Sequence, residues 1–361
     1  MEDGIKYGKG NSGERSDFDA PSRMYWRPMK IVANDRRFAV APMLDCTDRH
    51  ARFLYRMLST RALLYTEMIS TGALLYGPAR AFLDHHAALY PVAAQLGGSE
   101  PHALALCAKL LENSGFDEVN LNLGCPSERV QRGQFGACLM LQPTRVAEAI
   151  RAIRDVVSLP VTVKCRIGVD NRDSYAQFID FIGILYEAGC TVFIIHARKA
   201  WLQGVSPKYN RQVPPLRYDY VHQLKKEFPY LTVVLNGGLR DLSQAHTHLD
   251  VVDGVMFGRG VYDNPWLLSG VDREIYQTEQ ATQDRFQVGY KYRDYCRQQL
   301  ALGVPIRILV RPLFGLFYAC PGARLWRRQL SESLQGTAVT ESIIDDALLR
   351  IQQLAGSWTA F

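Results

Sequence analysis

The chain has 361 residues, 47% of them hydrophobic and 22% charged, with a net charge of +6. That composition suits a globular protein with one large core and excludes a disordered or fibrous chain. No apolar run approaches the roughly 18 residues of a membrane span, and the polar, Gly/Ser-rich start lacks the apolar segment of a secretory signal, so residues 1–29 are expected to be a mobile tail on a cytoplasmic protein.

From residue 38 onward, short β-rich runs alternate with amphipathic stretches. The run at 38–42 (FAVAP) precedes HARFLYRML. The run at 62–68 (ALLYTEM) comes next, and 92–97 (VAAQLG) leads into PHALALCAKLLENSG. The run at 118–124 (EVNLNLG) precedes TRVAEAIRAIRDVV, and 160–166 (PVTVKCR) precedes SYAQFIDFIGILYEAG. The runs at 191–198 (TVFIIHAR), 231–238 (LTVVLNGG) and 254–260 (GVMFGRG) complete the series, with YDYVHQLKKEF and SQAHTHLD between them. Alternating strands and helices predict parallel βαβ units, and eight of them in about 235 residues predict an α/β fold of the (β/α)₈ TIM barrel type. No G-x-G-x-x-G follows the first strand, which disfavours a doubly wound sheet.

After Pro265 the strand pattern stops. RFQVGYKYRDYCRQQLALG, a stretch at 306–319 and TESIIDDALLRIQQLAG read as helices, the last with Thr340 as N-cap. The expected organisation is a barrel over 30–270 and a small C-terminal all-helical domain over 275–361. Charge is concentrated in two places. Residues 285–328 hold nine Lys/Arg against Asp294, and residues 198–227 hold seven against Asp219 and Glu227. Such clusters suggest a polyanionic partner, with solvated helix faces as the alternative.

In a barrel of this type the chemistry sits where strands end. Those ends carry Pro42-Met43-Leu44, Gln95, Asn122 with Cys125, Lys164, His196, Asn236-Gly237-Gly238 and Gly258-Arg259. Glycines after strands seven and eight, with Arg259 beside them, predict a phosphate site. Lys164, Gln95 and Asn122 add a cation and amides suited to a flat heterocycle. The eight cysteines show no CxxC or His/Cys spacing, so no metal site is expected and the thiols should be reduced. Of these, Cys125 follows a strand end directly and can serve as a proton donor, because a thiol is mostly protonated at neutral pH. A thiol packed beside a turn is the alternative, and Cys138 is the nearest rival.

The set APML, QLGG, NLNLGCPS, GQFGACLM, VKCRIG, FIIHARKAWLQGVSPKYNR, LNGG and FGRG resembles the tRNA-dihydrouridine synthase family. HARKAWLQGVSPKYNRQVPPL and FGLFYACPGARLWRRQLSE are similar to its A subfamily. The likeness runs from about residue 30 to 355. It implies FMN as cofactor, NADPH as reductant, tRNA as substrate, and D-loop uridines around positions 20 and 20a as targets. It further implies Cys125 as the acid that protonates C5 while hydride reaches C6 of the uracil. Carried onto this chain, the FMN ligands are Pro42, Met43, Leu44, Gln95, Lys164, His196, Asn236, Gly237, Gly238, Gly258 and Arg259, with Asn122 beside the base. For the tRNA backbone the expected contacts are Lys199, Lys208, Asn210 and Arg211 in the loop after strand six, and Arg311, Arg324, Arg327 and Arg328 in the helical domain. No membrane or obligate protein partner is expected. Two other readings remain open on the residues alone: an FMN dehydrogenase of a free pyrimidine, and a non-catalytic RNA-binding protein on the same fold.

Overall fold

A period of two along each strand builds the molecule, because it sends one set of side chains into the barrel and the other toward the helices. A computed structural model describes residues 36–84, 89–278, 284–335 and 342–355. The expected tail at 1–29 and the Thr340 cap lie outside these residues. Eight parallel strands close in chain order: β1 (Phe38–Val40), β2 (Leu63–Ser70), β3 (Val92–Gly97), β4 (Glu118–Leu123), β5 (Val161–Arg166), β6 (Val192–His196), β7 (Thr232–Asn236) and β8 (Gly254–Phe257). Pairing of Phe38 with Val255 and Val40 with Phe257 shuts the ring.

Between and after the strands lie α1 (Arg49–Leu58), α2 (Thr71–Tyr76), α3 (Ala79–Leu83), α4 (Pro101–Asn113), α5 (Glu128–Arg132), α6 (Pro143–Arg154), α7 (Tyr175–Glu187), α8 (Tyr218–Glu227), α9 (Leu242–Leu249), α10 (Arg259–Asp263) and α11 (Val271–Glu274). Local signals set several of their starts. Asp48 caps α1 by accepting from the Ala51 N–H, and Ser174 with Gln177 forms a capping box on α7. The barrel thus matches the expected architecture; the run at 92–97 coincides with β3, the run at 62–68 ends short of the β2 end at Ser70, and the other runs overshoot their strands by one to three residues where the chain leaves the ladder for a loop.

Outward residues Val119, Leu121 and Leu123 of β4, with Val161, Val163 and Cys165 of β5, join the apolar core shared with the helices. Ala39, Ala41, Leu63, Tyr65, Ala93, Ile194, Val234 and Met256 fill the inside. The remaining inner positions on β3 to β5 are polar. In β2, register slips by one residue between Tyr65 and Met68, a bulge at Thr66-Glu67 that re-aims Glu67.

Four further helices follow: α12 (Arg285–Ala301), α13 (Ile306–Val310), α14 (Ala323–Gln335) and α15 (Ile343–Ala355). They pack on the barrel through α1, where Phe53 stacks on Tyr295 at 3.8 Å and the Tyr292 hydroxyl reaches the His50 carbonyl at 3.4 Å. Trp326 of α14 is buried and donates from Nε1 to the Leu313 carbonyl at 2.8 Å.

Candidate active site

Cys125 stands in the loop between β4 and α5, and its backbone is held from three sides. The Asn122 side chain accepts from the N–H of Gly124 (3.1 Å) and of Cys125 (3.0 Å). The Cys125 carbonyl accepts from the Ala137 N–H at 2.9 Å. The preceding Gly124 carbonyl accepts from Arg166 Nε at 2.8 Å. Gly136 permits the close approach, since a Cβ there would lie 2.5 Å from the Cys125 carbonyl oxygen and its φ is +77°. The thiol itself is partly accessible and touches Ser127 Oγ at 3.5 Å. Cys138, the rival, is turned into its own loop, with Sγ donating to the Phe135 carbonyl at 3.1 Å and burial raising its pKa. Cys107, Cys165, Cys190 and Cys296 are buried.

Asn122 therefore holds the Cys125 turn with its oxygen, while Nδ2 donates to Gln95 Oε1 at 2.8 Å. One Asn122 N–H is left over among the described residues. Gln95 is likewise engaged, with Nε2 donating to Asn120 Oδ1 at 2.8 Å.

Beside this wall, starting on the neighbouring strand β5 where Lys164 is the register partner of Asn122, stands a group of cations. Lys164 Nζ donates to Asn236 Oδ1 at 2.9 Å, and Asn236 Nδ2 donates to the Met256 carbonyl at 2.8 Å. Burial, then Arg166, brings Lys164 down to about 8. His196 is driven well below its ordinary value by burial, then by Arg166, Lys164, Arg198 and Arg259, so it is neutral at physiological pH. Arg259 feels Arg240, Arg211 and Arg198 beyond its burial. Asp263, ion-paired with Arg240, offsets part of this charge, and the excess of positive charge that remains at the mouth suits an anionic ligand.

The glycines complete the cradle. Gly237 and Gly238 have φ of +116° and +79°. A Cβ on Gly237 would lie 2.6 Å from His196 Cδ2, and one on Gly238 would lie 2.7 Å from Leu216 and 2.8 Å from the Tyr218 hydroxyl. That hydroxyl donates to the Gly237 carbonyl at 2.6 Å. Gly258 lies close to Met43 Sδ, which brings the β1 and β8 ends together. The Met43 carbonyl accepts from Cys46 and Thr47 N–H groups, Pro42 is half-buried and Leu44 is 68% exposed on the rim.

Three residues without an assigned role acquire one here. Arg166 bridges loops, with Nη1 donating to the carbonyls of Lys199 (2.9 Å) and Asn210 (3.0 Å). Glu67, re-aimed by the bulge, accepts from the Asp45 N–H and fixes the β1 loop. Tyr218 secures the glycine turn. The inward phase of VTVKCR marks Arg166 in the sequence; a bulge leaves no such mark.

The expected RNA contacts divide. Asn210 is fully buried and spends its amide on Trp201 and Val205, so it supports the loop instead of facing a partner. Lys199 pairs with Asp173 at 2.6 Å and lies over the Trp201 ring. Arg311 binds the Asp45 carbonyl at 3.1 Å and its carboxylate at 3.3 Å, tying the helical segment to the β1 loop. All three are held by partners within the chain, Asn210 by its own loop and Lys199 and Arg311 by residues distant in sequence. Lys208 and Arg211 on the β6 loop and Arg324, Arg327 and Arg328 on α14 are exposed. Among the described residues Arg324 and Arg327 have no ion-pair partner, and Arg328 reaches Glu332 only at 3.7 Å.

Comparison with known proteins follows the same lines. The family described as "Dihydrouridine synthase (Dus)" matches residues 39–352. A "tRNA-dihydrouridine(20/20a) synthase" of Escherichia coli (strain K12) is 51% identical over 313 residues, covering 86% of this chain and 90% of its own. One of Vibrio vulnificus (strain CMCP6) is 49% identical over 318 residues, covering 88% and 97%. Among solved structures, a complex of 2-naphthoyl-CoA reductase aligns with a TM-score of 0.53 at 10% identity, over 65% of this chain and 49% of that one, a likeness of fold.

Proposed function

The chain belongs to the dihydrouridine synthase family, and on that footing we propose how its residues reduce uridine in tRNA to 5,6-dihydrouridine. The reaction saturates the C5=C6 bond of uracil, with hydride added at C6 and a proton at C5. The likeness to the 20/20a synthases supports D-loop positions 20 and 20a as the targets and the cytoplasm as the workplace. No helix among the described residues is long and apolar enough to cross a membrane.

The cation-lined mouth fits FMN. Gly237, Gly238, Gly258 and Arg259 would receive its phosphate, where backbone N–H groups come close and Arg259 adds a charged fork. Lys164, held by Asn236, would lie against the ring with Gln95, and neutral His196 covers Gly237. When bound, FMN supplies the hydride and NADPH replenishes it. Cys125 donates the proton to C5 from a turn fixed at its N–H, its carbonyl and the carbonyl before it. The free N–H of Asn122 meets a carbonyl of the base and holds the ring over the thiol. The base reaches this mouth only after leaving its stack, and exposed Lys208, Arg211 and the α14 arginines grip the backbone around it.

The observation that carries this reading is the clamped Cys125 turn beside a cationic mouth. It is tested in Cys125→Ala. The variant should keep its flavin, its reduction by NADPH and its tRNA affinity, while single-turnover dihydrouridine formation falls by about 10²–10⁴-fold. A rate equal to that of the parent would place the acid elsewhere.

A further inference from the structure

Down the inner wall of the barrel, one unbroken run of side-chain hydrogen bonds joins a buried carboxylate at the start of β4 to the Cys125 turn at its end. Glu118 Oε1 accepts from the Thr162 hydroxyl and from the Tyr65 hydroxyl, the latter at 2.7 Å. Thr162 Oγ1 accepts from Asn120 Nδ2 at 2.8 Å, and Asn120 Oδ1 from Gln95 Nε2 at 2.8 Å. Gln95 Oε1 accepts from Asn122 Nδ2 at 2.8 Å, and Asn122 Oδ1 from the Gly124 and Cys125 N–H groups. Glu118, Thr162, Asn120 and Gln95 are all buried, so water does not compete for these links.

The run has a direction, and its two ends dictate it independently. Glu118 is ion-paired with Arg36, and a carboxylate only accepts. Thr162 must therefore donate downward and accept from above. At the other end two backbone N–H groups only donate, so Asn122 must turn its oxygen toward them and its nitrogen toward Gln95. Both conditions select the same orientation for Asn120 and Gln95. Turning either amide over would set donor against donor and acceptor against acceptor inside a dry wall. Tyr65 stays a donor throughout, because burial and then Glu118 hold its pKa far above the ordinary phenol value.

We propose that Glu118 is a remote positioning residue for the reaction: its carboxylate, through Thr162, Asn120 and Gln95, fixes the orientation of the Asn122 amide and so the Cys125 turn. In the orientation that both ends select, the uncommitted Asn122 group is an N–H, which suits a carbonyl of the base. The inference deepens the assignment of Cys125 as proton donor and rests on it.

The test uses the purified holoenzyme and three variants. Thr162→Val keeps the side-chain shape and cuts the run. Thr162→Ser restores the hydroxyl. Tyr65→Phe removes the other hydroxyl from the same Glu118 oxygen and leaves the run whole. Two quantities are read: kcat and KM for tRNA, and the rate of Cys125 alkylation by iodoacetamide, located by peptide mass spectrometry. Thr162→Val should lower kcat by about 10- to 100-fold, as small misplacements of reacting groups do, with KM for tRNA unchanged and the Cys125 alkylation rate shifted. Thr162→Ser should return both to parent values, and Tyr65→Phe should leave both alone. If Thr162→Val does not fold, Asn120→Ala breaks the next link and is read the same way. Equal behaviour of Thr162→Val and Tyr65→Phe, or no recovery in Thr162→Ser, overturns the proposal. Failure of the acid assignment looks different, because Cys125→Ala would then turn over normally while the alkylation comparison still reports on the run.

Discussion

Lys164 illustrates how much a single buried charge depends on what it faces. Its Nζ has one carbonyl-type partner, Asn236 Oδ1, and no carboxylate beside it among the described residues. Burial and the nearby Arg166 bring its pKa down from 10.5 to about 8. Below that value the ammonium is present and can donate to the acceptor atoms of a flavin ring; above it that charged donor is lost. FMN affinity of the apoprotein should therefore hold up to about pH 7 and fall toward about pH 9, approaching tenfold per unit. For the empty fold the sign is reversed, since between about 8 and 10.5 the unfolded chain binds more protons and stability rises with pH. Lys164→Met should weaken binding at neutral pH and flatten the slope, as followed by flavin fluorescence quenching. Parent affinity equal at both ends of the range would show that the Lys164 charge does not help to hold the flavin. The place of such residues in the fold is legible in the sequence, because Lys164 lies on a strand and Cys125 directly follows a strand end. The partners that hold Asn210 and Lys199, Trp201 and Asp173, are not legible, because they are assigned by a loop whose path no local pattern records.

At the scale of elements, strand periodicity predicts the whole barrel, and the same periodicity carries the polar inner wall: EVNLNLG sends Asn120 and Asn122 inward and Val119 and Leu121 outward. What it does not carry is the β2 bulge or α14. The helix anchors itself through buried Trp326 and Leu330 with Leu334 a turn further on, a narrow stripe in a segment otherwise dominated by polar and charged residues. The β7 end is the element where backbone conformation matters most. Gly238 sits at φ +79°, and a side chain there would press on Leu216 and on the Tyr218 hydroxyl that holds Gly237. Gly238→Ala should thus cost about 1–3 kcal/mol of stability from the left-handed backbone alone. It should also lower the flavin-to-protein ratio, because Tyr218 cannot then keep its bond to the glycine turn. Thermal denaturation and flavin absorbance measure the two effects. A variant with parent melting temperature and full flavin content would show that the turn tolerates a side chain and that the cradle lies elsewhere.

Across the whole molecule, charge counted along the chain overstates charge offered to a partner. In the C-terminal helices Arg293 and Arg297 share Asp345 of α15 at 2.7 and 3.0 Å, and Arg311 is bound to Asp45 of the β1 loop. Arg285 donates to the Leu316 carbonyl at 2.7 Å and covers the Trp266 ring. Those pairs hold the helices together and onto the barrel, so removing them would test stability before it tested binding. The arginines that remain on α14 are a different class. Arg324, Arg327 and Arg328 are exposed, while the buried side of the same helix is kept by Trp326 and Leu330, so replacing all three with alanine should leave the fold intact. If α14 docks the tRNA body, each phosphate contact releases a counterion, and the salt dependence of affinity steepens by somewhat less than one unit of slope per contact. The triple variant should then bind tRNA more weakly at low salt and show a log–log slope shallower by about two to three. Flavin content and NADPH oxidation should be those of the parent, because the substitutions lie far in sequence from the mouth and touch none of its residues. Filter binding across a salt series, with flavin absorbance as the control, separates the cases. An unchanged slope would transfer the docking role to Lys208 and Arg211 on the β6 loop, which the same series can test next.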